Sequence, residues 1–247
     1  MNEKKAVDII DSKIQSSDYL ARLYKKIEFD RLENSFSLSF LNPYSYFKIL
    51  ECPNVSYLDI DHFLIDGSLL CFFDSFFNGR KTIRYSFDFS SLADPLLSYF
   101  NRKRYNVAAI GGTSSEISKF VEKIEIKYPG LNLKYQSSGY FGDELLDDVS
   151  KVLIDRKVDI VILGLGTPKQ EYYASVLKKK IPKGVFFLTC GGFISQTARK
   201  MDYYHPIVKR LGLRWLQRFL MEPHVRKRLI FDYPSFVVKY IKLHMKR

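Results

Sequence analysis

At 247 residues, 46% of them hydrophobic, the chain is long enough to bury a full core, and no Gly/Ser- or Pro-rich tract divides it. The amino-terminal stretch MNEKKAVDIIDSKIQSSDYL is charged and only briefly apolar, unlike a secretory signal, and no uncharged apolar run approaches the roughly 18–20 residues that span a bilayer. The formal charge of +12 is unevenly spread: eleven lysines and arginines follow Tyr203, opposed there only by Glu222 and Asp232.

Such a segment wants polyanions, whether nucleic acid, acidic lipid or a diphosphate ligand, and charge alone does not choose among them. Cys52, Cys71 and Cys190 are odd in number and scattered, matching neither a disulfide framework nor a zinc site, which points to a reducing cytosol. His62, His205, His224 and His244 are too dispersed for a metal cluster, and no metal or other cofactor is expected.

In chain order, residues 5–28 read as a helix with Val7, Ile10, Ile14, Leu20 and Leu23 near one face. SFSLSF reads as a strand that breaks at Asn42-Pro43, and VSYLDIDHFLIDG as an extended run ending in the Asp66-Gly67 turn. NVAAIGGTSSE combines a buried strand (107–110), a Gly-Gly turn and a helix capped by Thr113 or Ser114 with Glu116 behind it. LNLKYQ is a further strand, and 143–155 a helix.

VDIVILGLG has the continuous apolar character of a parallel strand buried on both faces. TPKQEYYASVLKKK is a helix with Pro168 near its first turn, and GVFFLTCGG another buried strand. This alternation implies an α/β fold, a Rossmann-like, doubly wound and mostly parallel sheet flanked by helices. Ligands then bind outside the carboxyl ends of the strands. Beyond Tyr203 the chain reads as a basic, amphipathic C-terminal appendage, with Val208, Leu211, Trp215 and Phe219 near one helical face and Arg210, Arg214 and Arg218 in a row on another. Residues 1–202 are accordingly read as the core and 203–247 as the appendage.

The glycine pairs Gly111-Gly112, Gly164/Gly166 and Gly191-Gly192 each close a strand. Such turns either let backbone approach a diphosphate or simply allow tight strand-to-helix packing. Neither a dinucleotide fingerprint nor a Walker loop is present, and there is no GxSxG, HExxH or CxxC. Among the carboxylates, Asp66 fits two roles, a turn former or a general base held rigidly at a strand end, with Asp59, Asp61 and Asp88 as rivals.

Taken together and in order, FLNPYS, LIDG, AIGGT, YPGLNL, SGYFGDE, LGLGTPKQE, TCGGF and LRWLQRFLMEPHVRKR resemble the motifs of the WecG/TagA/CpsF glycosyltransferases, glycosyltransferase family 26, over roughly residues 38–230. The resemblance implies an inverting, metal-independent transfer of a hexose or N-acetylhexosamine, N-acetylmannosamine for example, from a UDP-sugar. The implied acceptor is a sugar on polyprenyl diphosphate, used in cell-surface or exopolysaccharide synthesis. It implies Asp66 as the catalytic base. Asn42, Asp88, Gly111, Gly112, Gly166, Lys169, Gln170, Glu171, Gly191 and Gly192 would bind the donor. Arg214, Arg218, Arg226 and Arg228 would meet the acceptor diphosphate and an anionic membrane surface.

The implied location is cytoplasmic and peripheral, on the inner face of the cell membrane, with no nucleic-acid partner. Phe40 stands where the family often has threonine, Ser195 where it has aspartate, and Tyr204-His205-Pro206 where it has Arg-Ala-Pro, so the donor's identity does not carry over. A nucleic-acid-binding protein and a catalytically inactive sugar-nucleotide binder are the rival readings.

Overall fold

Four short runs in this chain, SLSFL, VAAI, IVIL and FFLT, can bury both faces of a strand, and all four lie inside one parallel sheet. The computed structural model describes residues 3–51, 59–201, 203, 205–211 and 213–245. Its sheet comprises β1 (Phe36–Leu41), β2 (His62–Ile65), β3 (Asn106–Gly111), β4 (Asn132–Ser137), β5 (Ile160–Gly164) and β6 (Phe186–Thr189), in the order β2-β1-β6-β5-β3-β4. Every pairing is parallel. All six carboxyl ends therefore share one rim, as expected for a doubly wound sheet.

Helices α1 (Glu3–Lys13), α2 (Tyr19–Lys25) and α3 (Arg31–Glu33) precede β1, and α4 (Pro43–Leu50) follows it. Between β2 and β3 lie α5 (Ser68–Asn78) and α6 (Ala93–Lys103), with α7 (Ser114–Lys127) after β3, α8 (Leu146–Asp155) after β4 and α9 (Lys169–Lys180) after β5. Then come α10 (Phe193–Arg199), α11 (Pro206–Arg210), α12 (Arg214–Met221), α13 (Pro223–Lys227) and α14 (Tyr233–His244).

Strand residues alternate between two cores. Val161, Leu163, Ala108 and Ile110 pack against α1, α4, α5, α8, α9 and α14. Ile160, Ile162, Val107 and Ala109 face α2, α6, α7 and α10.

The single helix expected over 5–28 is two helices. Ile14 forms a bridge with Phe63 and the Gln15 amide donates to the Phe63 carbonyl, so a sheet contact interrupts the helical pattern. The break expected at Asn42-Pro43 is the start of α4. Asn42 Oδ1 accepts from the Tyr44 and Ser45 amides while Ser45 Oγ accepts from the Asn42 amide, with Pro43 preset at the first helical position. Thr113 and Glu116 form the expected capping box on α7. Of the extended run 55–67, residues 55–58 lie outside the described residues and only His62–Ile65 is strand.

The basic segment after residue 203 has two unlike halves. In α11, α12 and the turn between them, Ile207, Leu211, Trp215 and Leu220 are all more than half exposed. In α14, by contrast, Phe236, Tyr240 and His244 are buried. The Phe236 and Tyr240 rings pack on Tyr46 of α4 and Phe73 of α5, and α14 thus completes one of the two cores. Removing a buried phenylalanine ring costs about 3–5 kcal/mol. Phe236→Ala should lower the urea unfolding free energy by that amount. Val238→Ala, on the exposed side of α14, should stay within about 0.5 kcal/mol. Equal, small effects would show that α14 is not a core element.

Candidate active site

Strand ends at the carboxyl rim bring together most of the residues singled out in the sequence. Asp66 follows β2, and its amide donates to the carbonyl of Leu41 at the end of β1 (2.7 Å). Its partner is Arg84, whose Nη2 lies 2.7 Å from Asp66 Oδ1, while Oδ2 takes no hydrogen bond among the described residues. The side chain keeps 28% exposure at the rim.

Desolvation there raises the Asp66 pKa; Arg84 and Arg218 oppose it and the Asp88 charge adds to it. Tyr233 belongs to the same cluster: burial raises its pKa, Asp66 reinforces the rise, and Arg218, Arg228 and Arg84 counter it. The tail arginines are thus brought near Asp66 by the docking of α14. Arg228 lies over the Tyr44 ring, 3.9 Å from its centroid and two residues from Asn42. Arg218 pairs with the buried Glu222, which also accepts from Tyr203 Oη (2.8 Å). Arg226 is exposed, and Arg214 begins α12.

Asp59 and Asp61 precede β2 and lie at the opposite, amino end of the sheet. Asp61 accepts from Ser37 and Lys178, and Asp59 from Ser175 with Lys179 alongside. Four residues of strand separate Ser37 from the rim, on the order of 13 Å. Asp88 is buried in the loop before α6, its carboxylate held by Ser86 Oγ (2.7 Å) and by the Ser90 amide (2.8 Å). It shapes that loop, beside a small recess lined by Phe193, Gln196 and Tyr203.

The glycines meet at the other end of the rim. A Cβ on Gly111 would fall 2.5 Å from the carbonyl oxygen of Gly164, and Gly112 has a φ of +64° that L residues rarely adopt. Gly164 in turn abuts the Gly191 carbonyl, so the three turns after β3, β5 and β6 form one tight floor. Glu116 stands at its edge, accepting from the Thr113 amide and from Ser195 Oγ (3.0 Å), the backbone bond above all holding its pKa low.

The helix after Gly166 is more structural than the sequence suggested. Lys169 Nζ donates to the carbonyls of Gly139 (3.0 Å) and Phe141 (2.9 Å), pinning the SGYF loop to α9. Gln170 and Glu171 are buried, and Gln170 Oε1 accepts from the Gly191 amide (3.1 Å). Gln170 serves the end of β6 and Asp66 the end of β2. With only β1 between those strands, the two functions lie on one rim about two strand spacings apart, on the order of 10 Å.

A model of the glycosyl transferase WecG/TagA/CpsF family matches residues 7–247. The chain belongs to this family. It is 42% identical over 212 residues to a UDP-Gal:alpha-D-GlcNAc-diphosphoundecaprenol beta-1,4-galactosyltransferase of Shigella boydii, covering 85% of this chain and 87% of that one. Two N-acetylglucosaminyldiphosphoundecaprenol N-acetyl-beta-D-mannosaminyltransferases are more distant. That of Bacillus subtilis (strain 168) is 27% identical and that of Bacillus spizizenii 24%, each over 60% of this chain and 56% of theirs.

For this glycosyltransferase, sequence reasoning missed Arg84, Tyr233 and the Ser39 and Thr189 hydroxyls beneath the rim. Arg84 sits in RKTIRYSFD, where nothing in the pattern couples it to a carboxylate eighteen residues earlier. Among the described residues no group of three His, Cys, Asp or Glu side chains could hold a metal ion. A carboxyl-carbon NMR titration should find the Asp66 midpoint above the ordinary aspartate value. Arg84→Gln should move it higher still, since a nearby cation favours the ionised form. A midpoint indifferent to Arg84 would uncouple the pair.

Proposed function

We propose that this chain is an inverting glycosyltransferase that moves a hexose from a UDP-sugar to N-acetylglucosamine on undecaprenyl diphosphate, with UDP-galactose the first donor to test. The name of the Shigella boydii relative, at 42% identity over most of both chains, supports donor and acceptor alike. N-Acetylmannosamine, transferred by the Bacillus relatives, is the less favoured donor at their lower identity.

One observation carries the chemistry: a carboxylate with one oxygen anchored by Arg84 and the other unbonded among the described residues, at the rim of a parallel sheet where tail arginines converge. Asp66 Oδ2 takes the proton of the acceptor hydroxyl as that oxygen attacks the anomeric carbon. The bond from the anomeric carbon to the UDP oxygen breaks, and its electron pair leaves with the diphosphate. One displacement inverts the centre. The raised pKa makes Asp66 a stronger base than an exposed aspartate, and Arg84 favours its ionised form.

The diphosphate charge that grows in this step needs donors already in place, and no resident metal is proposed to supply them. The glycine floor after β3 and β5 would carry the donor, with Asn42, Lys169, Gln170 and Glu171 shaping the cleft. Arg218 and Arg228 would hold the acceptor diphosphate beside Asp66.

Among the described residues no helix is long and apolar enough to cross a membrane. The exposed apolar side chains Ile207, Leu211, Trp215, Leu220 and Phe231 offer a contact with the inner membrane face instead. Each basic residue near an anionic surface adds about 1 kcal/mol.

Asp66→Asn should abolish galactosyl transfer from UDP-galactose to a GlcNAc-diphosphate-lipid acceptor while UDP binding by calorimetry changes less than about threefold. Undiminished turnover would remove Asp66 as the base. For the membrane contact, the triple variant Leu211→Ser/Trp215→Ser/Leu220→Ser should fail to float with phosphatidylglycerol vesicles that carry the wild-type protein. Unchanged flotation would exclude these side chains as the anchor.

A further inference from the structure

Beneath the rim, Glu171 is fully buried in a chain of hydrogen bonds that joins three elements. Its Oε1 accepts from Ser39 Oγ of β1 (2.8 Å), from Gln170 Nε2 (2.8 Å) and from Thr167 Oγ1 (3.2 Å). Ser39 Oγ in turn accepts from Thr189 Oγ1 at the end of β6 (2.8 Å). Glu171 Oε2 has no hydrogen-bond partner among the described residues. The far side of Gln170 completes the circuit, its Oε1 receiving the amide of Gly191.

That amide opens the turn between β6 and α10. Gly191 holds a φ of +55°, and its carbonyl lies so near the end of β5 that a Cβ on Gly164 would come within 3.1 Å of it. Whatever orients Gln170 therefore sets the wall of the glycine floor.

We infer that Glu171 is a positioning residue for the donor, holding the Gly191 turn through Gln170 without touching the nucleotide-sugar itself. This rests on the UDP-sugar reading above. Three donors on one oxygen and none on the other describe a neutral carboxyl whose carbonyl is Oε1 and whose hydroxyl is Oε2. An ionised group would leave a bare charged oxygen in the core. Burial raises the Glu171 pKa against the lowering by Gln170, Ser39 and Thr167, in keeping with that state. The side chain touches two hydroxyls and an amide, and its place between α9 and the sheet leaves the cleft to its neighbours.

The test is steady-state kinetics with UDP-galactose, with UDP binding followed by calorimetry. Glu171→Ala should raise the donor KM and the UDP Kd tenfold or more while kcat and the pH profile of kcat stay close to wild type. Glu171→Gln, which mimics the neutral acid, should restore most of the loss, to within about threefold of the wild-type KM, as one retained acceptor allows. Gln170→Ala should match Glu171→Ala, and the double variant should be no worse than twofold beyond either, since the two act as one unit.

Should Glu171→Ala fail to fold, Glu171→Gln and Gln170→Ala carry the same comparison. Loss of kcat in a folded Glu171→Gln protein, or effects that multiply in the double variant, would overturn the inference. Failure of the wild-type protein to bind UDP would instead strike the donor assignment.

Discussion

A carboxylate with 5% exposure must be matched inside the protein, and Asp11 obliges four helices to converge on it. Its Oδ1 accepts from Tyr46 Oη of α4 (2.6 Å), and its Oδ2 meets His244 Nε2 of α14 (2.9 Å) and Asn78 Nδ2 of α5 (3.3 Å). Asn78 also reaches Asp74, itself fully buried and held by Arg80 Nη2 and Thr82 Oγ1 (2.5 Å each). Breaking a buried pair of this kind costs about 3–5 kcal/mol, so the cluster fixes where α1, α4, α5 and α14 stand relative to one another.

The consequence reaches the rim. Because α14 and α5 run side by side, with Phe73 against Phe236 and Phe77 against Tyr240 and His244, the amino end of α14 lies beside the amino end of α5. Asp66 precedes α5 and Tyr233 begins α14, so packing far from the cleft delivers Tyr233, Arg228 and Arg218 to the neighbourhood of the carboxylate. The greasy half of the tail, α11 and α12, is left outside with its apolar side chains in solvent. One half of the basic segment is architecture and the other half surface.

Two buried carboxyls thus serve different ends of the molecule. Asp11 organises helices around charge that is answered on both oxygens. Glu171 gathers its donors on one oxygen only and stabilises a turn. Asp66 differs from both in lying partly exposed at the rim, with one oxygen on Arg84 and the other unbonded among the described residues.

How much of this was legible depends on the range of the interaction. Val107–Ile110, Ile160–Leu163 and Phe186–Leu188 are contiguous apolar runs that lead into glycine turns, because a parallel strand buried on both faces needs no polar side, and local pattern is enough to find them. The family motifs and the candidate base Asp66 were likewise visible, as was the capping box of Thr113 and Glu116, since each is confined to a few neighbouring residues. The helices α4, α5 and α6 were not: a proline and runs of aromatic residues obscure a 3.6-residue period whose apolar side is chosen only by the partner it meets.

Arg84 on Asp66, Ser39 on Glu171 and His244 on Asp11 join residues 18, 132 and 233 positions apart. Sequence alone determined the parallel sheet, the glycine rim and the chemical types available there. Tertiary structure decided which charges face each other and which half of the tail is buried. Electrostatic and packing energies depend on distance in space, and nothing in the linear order of residues encodes that distance until the sheet and its helices have assembled.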